Sequence, residues 1–319
     1  MEKTLPQRPL ASSHVGAIGL GCMGMTWAYT TGGRDDERSI ATIHRAIERG
    51  ITLIDTADVY GPFSNEEVVG RALEGRRDEV FLATKVGLVV EDVATLKIGR
   101  DGSPAHVRAG IDASLGRLGT DRVDLYQLHR VDERVPVEET WAAMAETVAA
   151  GKAGAIGMSE VTVEQLEVAH AIHPVASVQS ELSLWTRDRL DDVLPWCVEH
   201  GVAFIPFAPL GRGYLTGTIT AAAFDDGDFR ARNPRFTRAA LEANLAIVDR
   251  VRAVADRHDA TAAQVALAWV LAQADAVIPI PGTTKPERID ENAGAALLRL
   301  SAEDLTELDG APAPVGARY

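Results

Sequence analysis

The sequence is poor in cysteine and lacks an apolar segment at its start. Cys22 and Cys197 are the only cysteines among 319 residues, so neither a disulfide framework nor a cysteine-based metal site is expected. The opening residues, MEKTLPQRPL, contain no hydrophobic run of the kind that marks a secretory signal. These absences favour a cytoplasmic protein without a bound metal.

Basic charge is also scarce. The chain has 32 Lys and Arg residues against 46 Asp and Glu residues, which gives a formal net charge of -14. Nucleic acids and anionic membrane surfaces bind to basic faces that replace their counterions, so we expect neither as a partner. An anionic small molecule would have to bind at a local cluster of basic residues.

Long uninterrupted hydrophobic runs are missing. The stretch AAQVALAWVLAQADAVIPIPG, residues 262–282, is long enough for a membrane-spanning helix, but it contains Gln273, Asp275, Pro279 and Pro281. The charge and the prolines predict a helix, a turn and a strand instead. No membrane span is therefore expected.

What the sequence does contain is a regular alternation of short β-rich runs with helical patterns. No linker or change in composition divides the chain. The pattern predicts the α/β class, with residues 1–319 forming a single-domain (β/α)8 TIM barrel rather than two doubly wound domains. The eight predicted strands are AIGLG 17–21, ITLIDTA 51–57, EVFLATKV 79–86, RVDLYQLH 122–129, AGAIGMS 153–159, SVQSELS 177–183, AFIPFAP 203–209 and AVIPIPG 276–282.

Several helix starts are marked by polar signatures that satisfy the first backbone donors of a helix. A serine before a proline, or a Ser or Thr three residues before Glu or Gln, has this effect. The predicted starts are Ser103-Pro104 and the capping boxes Ser64-x-x-Glu67, Thr162-x-x-Gln165 and Thr261-x-x-Gln264.

Three segments, 87–105, 211–238 and 309–319, are longer than ordinary connections between strands and helices. In a barrel, the first two follow the third and seventh strands. They are therefore expected as long loops at the C-terminal face of the barrel, where active sites lie.

The glycines of Gly19-x-Gly21-x-x-Gly24 have the spacing of a dinucleotide-binding fingerprint. In a Rossmann fold, however, this pattern must open a helix at once, so that the helix N-terminus meets the pyrophosphate. Here the next helical pattern begins only near Asp36 or Glu37, after the loop sequence MTWAYTTGGRDD. The glycines are therefore assigned to the first barrel strand.

Polar residues lie at the ends of three successive predicted strands. Asp55 lies at the end of the second strand with Tyr60 shortly after it, Lys85 lies at the end of the third, and His129 at the end of the fourth. Tyrosine has an unperturbed pKa of about 10, so it exchanges protons poorly near neutral pH. A lysine ammonium ~4 Å from the phenol oxygen would favour phenolate by roughly 4 kcal/mol at a dielectric near 20, nearly three pKa units. Asp55 would hold Lys85 charged, and neutral His129 would position a carbonyl.

Each of these residues alone also has a structural explanation. Asp55 could cap a turn, Lys85 could be a solvated strand end, His129 a buried histidine and Tyr60 ordinary loop packing. Their joint position at the strand ends of a barrel favours the chemical interpretation.

The segment LIDTADVYGPFSNEEVVGRAL, residues 53–73, with the later LATKVG and DLYQLHRVD, resembles the aldo-keto reductases. The resemblance covers almost the whole chain and implies an NADPH-dependent barrel enzyme that interconverts carbonyls and alcohols. It implies that Tyr60 donates a proton to the carbonyl oxygen, that Lys85 tunes its pKa, that Asp55 pairs with the lysine, and that His129 orients the substrate.

Without the resemblance, the residues themselves predict an anion site after the eighth strand, in PGTTKPERIDEN, residues 281–292. Thr284-x-x-Glu287 is a capping box that would open a helix whose N-terminus is positive. Lys285 and Arg288 add charge there, and a guanidinium suits phosphate. A helix start with solvated charges is the alternative explanation.

The resemblance assigns further residues to NADP. It implies that Ser159 and Gln179 hold the nicotinamide carboxamide, that Phe207 stacks on the ring, and that Cys22, Met23 and Asp55 lie near that end. It implies that Thr283, Arg288, Glu291 and Asn292 bind the adenosine 2′-phosphate and the adenine, next to Gly282 and Lys285 of the predicted anion site. The pyrophosphate is implied to lie along the backbone of Pro209, Leu210, Gly211, Arg212 and Gly213.

The chain departs from the family pattern in two places. Glu160 follows Ser159 where many members have Asn, and Gly282 stands where a basic residue is common. Lys285 and Arg288 are then left to bind the 2′-phosphate, and NADP is favoured over NAD.

The expected partner is a small aldehyde or ketone, bound near Trp27, Tyr60 and His129. Trp185 and Phe63 are further candidates for an aromatic rim, although each could be ordinary packing. Two alternatives remain: a regulatory subunit similar to potassium-channel β-subunits, or an NAD-dependent alcohol or sugar dehydrogenase on the same fold. The sequence predicts no oligomeric state.

Overall fold

The computed structural model describes residues 5–29, 33–92, 97–225 and 227–318. Strands and helices alternate along most of this range. The strands are β1 (Gln7–Leu10), β2 (Ser13–Gly16), β3 (Leu20–Gly21), β4 (Leu53–Asp55), β5 (Phe81–Val86), β6 (Leu88–Asp92), β7 (Lys97–Arg100), β8 (Val123–Leu128), β9 (Ala153–Ser159), β10 (Ser177–Glu181) and β11 (Ala203–Phe207).

Seven of these strands form one parallel sheet in the order β3-β4-β5-β8-β9-β10-β11. The segment 276–282 closes this sheet into a barrel. It pairs with β11 through Phe204 and Val277 and with β3 through Gly21 and Gly282. All eight predicted barrel strands thus lie where the sequence places them, and the (β/α)8 prediction is confirmed.

Gly19 and Gly21 are needed for this closure. A Cβ atom on Gly21 would lie 2.9 Å from the carbonyl oxygen of Ile280, and one on Gly19 would lie 2.9 Å from the Ile280 side chain. The Gly19 N–H also donates to the Pro279 carbonyl at 2.9 Å. The glycine pattern therefore serves the contact between the first and last strands. The Rossmann interpretation is excluded, because the next α-helix begins only at Asp36.

The helices surround the sheet and bury their apolar faces against it. A 20-residue helix follows the long loop after β11. The helices are α1 (Asp36–Glu48), α2 (Ser64–Ala72), α3 (Pro104–Leu118), α4 (Val137–Ala149), α5 (Val163–Ile172), α6 (Val193–His200), α7 (Arg238–Arg257), α8 (Ala262–Leu271), α9 (Pro286–Ala295) and α10 (Ala302–Asp309).

The segment 262–282 divides into α8, a turn and the closing strand, as predicted. Over the four described ranges, no helix combines the length and the apolar character that a membrane crossing requires.

Three predicted helix starts are confirmed. The Ser103 hydroxyl accepts from the His106 N–H, and full capping boxes form at Thr162 with Gln165 and at Thr261 with Gln264.

Two predicted capping boxes are wrong. Phe63, in the left-handed region at φ 67°, precedes α2, and the Ser64 hydroxyl instead donates to the Gly61 carbonyl at 2.7 Å. The box at Thr284 fails because Pro286 follows Lys285. A residue before proline avoids the helical region, so Lys285 is extended and α9 begins at Pro286.

Two antiparallel hairpins lie outside the barrel sheet, and the sequence pattern did not predict them. The first, β1 with β2, places Leu10 and Val15 in the apolar cluster inside the barrel and closes one end of it. The second, β6 with β7, lies within the long segment 87–105. Of the three long segments, residues 93–96, 226 and 319 lie outside the described residues.

Candidate active site

Inward-facing positions of the barrel strands change from apolar to polar toward the C-terminal ends. Leu53, Ala83 and Leu125 belong to the cluster that fills the barrel interior. Residues two positions further along a strand face the same side. The same rows therefore continue into three buried polar side chains, Asp55, Lys85 and Gln127, which neighbouring strands bring together.

A buried chain of polar contacts joins Asp55, Lys85 and Tyr60. Lys85 Nζ donates to Asp55 Oδ1 at 2.5 Å and to the Thr56 carbonyl at 2.8 Å. It also lies 3.4 Å from Tyr60 Oη. The Lys85 side chain is fully buried and the Asp55 side chain is 3% exposed. The sequence prediction that these three residues meet is therefore confirmed as geometry.

Asp55 has two further partners, which fix the orientation of its carboxylate. Gln179 Nε2 donates to Asp55 Oδ2 at 2.8 Å, and Gln127 Nε2 lies 3.3 Å from the same oxygen. Sequence reasoning missed Gln127. Its position two residues before His129 on a strand was the available signal, because both side chains then face the barrel interior.

Burial and charge act in opposite directions on Tyr60. Burial raises the pKa of its phenol, and Lys85 lowers it by less, so the pKa lies above its ordinary value. This corrects the sequence-based expectation that Lys85 would lower the pKa by nearly three units, because that figure left out the loss of solvent around the phenol. For Lys85, burial lowers the pKa, but the charges of Asp55 and Tyr60 outweigh it and the ammonium stays charged.

His129 lies beside Tyr60. The two rings meet edge to face with centroids 5.7 Å apart. Burial, together with the charges of Lys85 and Arg130, holds the pKa of His129 well below its ordinary value. Its Nδ1 is buried and has no hydrogen-bond partner among the described residues. The lowered pKa favours the neutral imidazole that the sequence predicts.

An apolar wall surrounds the Tyr60 ring. The Trp27 ring centroid lies 5.9 Å from that of Tyr60. Met23 and the β6–β7 hairpin residues Leu88, Val90 and Ile98 pack into the same small cluster. The long loop after the third barrel strand thus forms one side of the candidate pocket.

The other two proposed rim aromatics lie elsewhere. Trp185 is 1% exposed and stacks on Tyr214 at a centroid distance of 4.4 Å, so it is a core residue. Phe63 is exposed and contacts the Arg117 guanidinium of α3. The prediction of a rim at these two positions is wrong, because Trp185 faces inward to the core and Phe63 faces a neighbouring helix.

The segment that follows the closing strand presents basic residues at the start of α9. Gly282, Lys285 and Arg288 are exposed, Thr283 is half-buried and Asn292 is buried. The Thr283 hydroxyl accepts from the Lys285 N–H at 3.1 Å, and Arg288 pairs with Glu291 one helical turn later. The predicted anion-binding residues therefore lie together at one helix N-terminus.

The segment after β11 turns sharply at the mouth of the barrel. Gly211, Arg212 and Gly213 all have positive φ, between 55° and 96°. A Cβ on Gly211 would meet the Trp185 ring at 2.8 Å, so glycine is required there. Phe207, half-buried, precedes this turn and has the Arg318 guanidinium 5.7 Å from its ring centroid.

Glu160, one of the two departures from the family pattern, does not stay unpaired. It has φ 56°, accepts from the Glu181 N–H at 2.9 Å, and pairs with Arg318, which also pairs with Glu181 at 2.8 Å. Ser159, just before it, accepts from Arg130 Nη1 at 3.0 Å. The acid that replaces the usual amide is thus neutralised by an arginine 158 residues away in the sequence.

A buried asparagine, Asn65, forms hydrogen bonds to residues that follow the first and the second barrel strand. Sequence reasoning missed this residue. Asn65 donates to the Cys22 carbonyl at 2.9 Å and to the Thr26 hydroxyl at 2.8 Å, and accepts from the Thr56 hydroxyl at 2.6 Å. The Cys22 thiol is buried in the main core, and burial raises its pKa. Of the predicted pair, Met23 is the residue whose side chain reaches the Tyr60 cluster.

Comparison with known proteins identifies the family of this chain. A family model described as "Aldo/keto reductase family" matches residues 17–312. A probable aldo-keto reductase 1 from Glycine max is 42% identical over 303 residues, which cover 95% of this chain and 86% of that protein.

Solved structures of the same kind superpose on the whole fold. A glycerol dehydrogenase from Gluconobacter oxydans is 31% identical with a TM-score of 0.88, over 100% of this chain and 99% of that one. An aldo/keto reductase from Klebsiella pneumoniae, solved in complex with NADP and acetate, is 29% identical with a TM-score of 0.75, over 97% and 96% of the two chains. With the barrel, the Asp55–Lys85–Tyr60 contacts and these matches together, the chain belongs to the aldo/keto reductase family of oxidoreductases.

Proposed function

We propose that this protein reduces an aldehyde or ketone to the alcohol with NADPH, and that Tyr60 donates the proton to the carbonyl oxygen. The observation that carries the proposal is the buried row Asp55, Lys85 and Tyr60 beside a neutral His129. Its four side chains match, position by position, the four roles that the family resemblance implies. The single barrel formed by residues 1–319 is proposed as the functional unit.

Tyr60 suits the role of a general acid because its phenol is protonated when the substrate binds. Its raised pKa keeps the phenol protonated at neutral pH. An alkoxide that develops on the carbonyl oxygen is a much stronger base than phenolate, so the proton moves from Tyr60 to it. Lys85 then stabilises the phenolate left behind, by about 5 kcal/mol at 3.4 Å and an effective dielectric of 20.

His129 is proposed to orient the carbonyl. Because Nδ1 has no acceptor among the described residues, the neutral imidazole is expected to carry its proton on Nε2. That N–H can donate to a carbonyl oxygen beside Tyr60. A neutral donor at this place polarises the carbonyl without competing with Tyr60 for the proton.

The residues present fit NADP. The 10-residue helix α9 begins with exposed Lys285 and Arg288, an arrangement that favours a phosphate, and Arg288 keeps further N–H donors besides the one on Glu291. Ser159 Oγ and Gln179 Oε1, which accepts no hydrogen bond from the described residues, suit an amide. When bound, NADPH supplies the hydride that the carbonyl carbon accepts. The complexes of the Klebsiella pneumoniae relative with NADP and with NADPH support this choice of cofactor.

The proposal is tested by mixing the protein with NADPH and a panel of aldehydes and ketones and following absorbance at 340 nm. Tyr60→Phe is expected to lower kcat by at least about 100-fold while the affinity for NADPH changes little, because the hydroxyl acts only on the proton. A protein that binds NADPH but reduces no carbonyl would instead support a regulatory role, and an unchanged Tyr60→Phe variant would exclude Tyr60 as the acid.

A further inference from the structure

Arg130 directly follows His129 at the end of β8 and is held against the candidate pocket. Its Nη1 donates to the His129 carbonyl at 2.6 Å and to Ser159 Oγ at 3.0 Å. The side chain is half-buried. Its charge lowers the pKa of His129, after burial and Lys85, and opposes the effect of burial on Tyr60. The guanidinium therefore lies near both residues that would contact a carbonyl, and its effect on the pKa of each is the smallest of the causes.

Arg130 differs from its neighbours at this end of the barrel because it forms no ion pair with any described residue. The other arginines there are compensated. Arg230 pairs with Asp228 at 2.6 Å, Arg212 lies 3.4 Å and Arg235 3.7 Å from the Glu181 carboxylate, and Arg318 pairs with Glu160 and Glu181. In a chain of net charge -14, a half-buried guanidinium left without an acid indicates that its counterion comes with a ligand.

The free donors of Arg130 can pair with an oxyanion. Nε and Nη2 make no hydrogen bond to the described residues, while Nη1 is anchored. One planar guanidinium edge accommodates a carboxylate through two parallel N–H to O bonds. The cofactor phosphates are already assigned to the start of α9, so the anion that we assign to the Arg130 edge is a carboxylate. Trp27, Leu88 and Val90, which pack against the cluster around Tyr60, provide an apolar surface for the rest of the molecule.

We propose that Arg130 is a substrate-binding residue that selects carbonyl compounds bearing a carboxylate on an apolar body. This inference rests on the reaction proposed above, since it names the substrate class for that same pocket. It makes Arg130 a specificity determinant, distinct from the proton transfer assigned to Tyr60.

The kinetic test compares 4-carboxybenzaldehyde with its neutral methyl ester, methyl 4-formylbenzoate. Arg130→Gln is expected to lower kcat/KM for the carboxylate by about 10- to 100-fold and to leave the ester within about 3-fold. The matched control is Arg122→Gln, which removes the same charge from an exposed residue just before the opposite end of β8 and should change neither value. Equal losses for acid and ester, or no preference for the acid in the wild type, would overturn the inference.

A binding test gives a readout that needs no turnover. Calorimetric titration of the NADP-loaded protein with 4-methylbenzoate and with 4-methylbenzamide should show tighter binding of the acid in the wild type. Arg130→Gln should abolish the difference. If the variant instead loses affinity for NADPH itself, Arg130 serves the cofactor and the inference is wrong. A wild type that binds 4-methylbenzoate through Arg130 but reduces neither aldehyde would contradict the proposed reaction and retain the anion site.

Discussion

Asp58 shows how strongly burial controls single side chains near this site. It is 5% exposed, and its Oδ1 has no hydrogen-bond partner among the described residues. Burial and the charge of Glu66 raise its pKa to about 8, against the opposing effects of the Val59 N–H, Arg117 and Lys85. The carboxyl is therefore protonated in the folded protein at pH values where the unfolded chain has lost that proton.

Replacing Asp58 tests this directly. Between the unfolded pKa of about 4 and the folded pKa of about 8, the native state binds one more proton than the unfolded state, so Asp58 makes the free energy of unfolding fall as pH rises. Asn cannot ionise. The stability of Asp58→Asn relative to wild type should thus rise by up to about 1.4 kcal/mol per pH unit across this window.

The measurement is urea unfolding at pH 5, 6.5 and 8, with Asp121→Asn, an exposed acid, as the matched control. The control is expected to show a flat difference from wild type. A flat difference for Asp58→Asn as well would mean that this carboxyl is ionised in the fold.

Arg288 provides a residue-level test of the cofactor site. Removing its guanidinium in Arg288→Ala should weaken NADPH binding by about 10-fold or more, because a charge-assisted bond to the 2′-phosphate is lost, while NADH changes by less than about 3-fold. Fluorescence titration of both nucleotides measures this. Equal losses for the two nucleotides would place the phosphate elsewhere.

At the level of elements, the barrel strands were predictable and the added hairpins were not. The eight strand positions followed from short apolar runs between turn signals, and these residues are buried on all sides. The β1–β2 hairpin contains Pro9, which argues against a strand, and turns at Ala11 with φ 53° and no glycine. Its sequence therefore carries neither of the usual hairpin signals.

Whether a predicted capping box forms depends on the residues that follow it. Those at Thr162 and Thr261 formed because the following residues are free to become helical. Thr284 failed because a proline two residues later shifts the helix start. A further box, Ser301 with Asp304, was missed because Asp replaces the usual Glu or Gln.

Two glycines in different surroundings are expected to respond to alanine in opposite ways. Gly21→Ala should destabilise by about 1–3 kcal/mol, since its Cβ would lie 2.9 Å from the Ile280 carbonyl oxygen and the strands would have to move apart. Gly116→Ala should stabilise by about 0.5–1 kcal/mol, because this exposed position in α3 has no atom within 4 Å of an added Cβ.

Both changes in stability are measured by comparing the urea unfolding midpoints of the two variants with that of the wild type. An unchanged stability of Gly21→Ala would mean that the two strands are less closely packed than the 2.9 Å distance indicates. A lower stability of Gly116→Ala would count against a helical conformation at that position.

For the whole molecule, the barrel explains why residues from distant parts of the sequence form one site. Parallel strands all end at the same face, so Asp55, Lys85, Gln127 and Gln179 meet although they span 124 positions. The residue types could be predicted from the sequence and its family resemblance. Their packing could not be predicted, because two features depend on neighbours from several strands and loops. These are the balance of burial and charge at Tyr60 and the lack of an ion pair between Arg130 and any described residue.

In the proposed reaction, Tyr60 protonates a carbonyl while NADPH provides the hydride. This reaction is tested most directly by giving the wild type and Tyr60→Phe NADPH that carries deuterium at both C4 positions, and by mass analysis of the product. We expect alcohol with one deuterium on the former carbonyl carbon from the wild type, and almost no alcohol from Tyr60→Phe despite normal NADPH binding. Alcohol without deuterium, or full turnover by Tyr60→Phe, would contradict it.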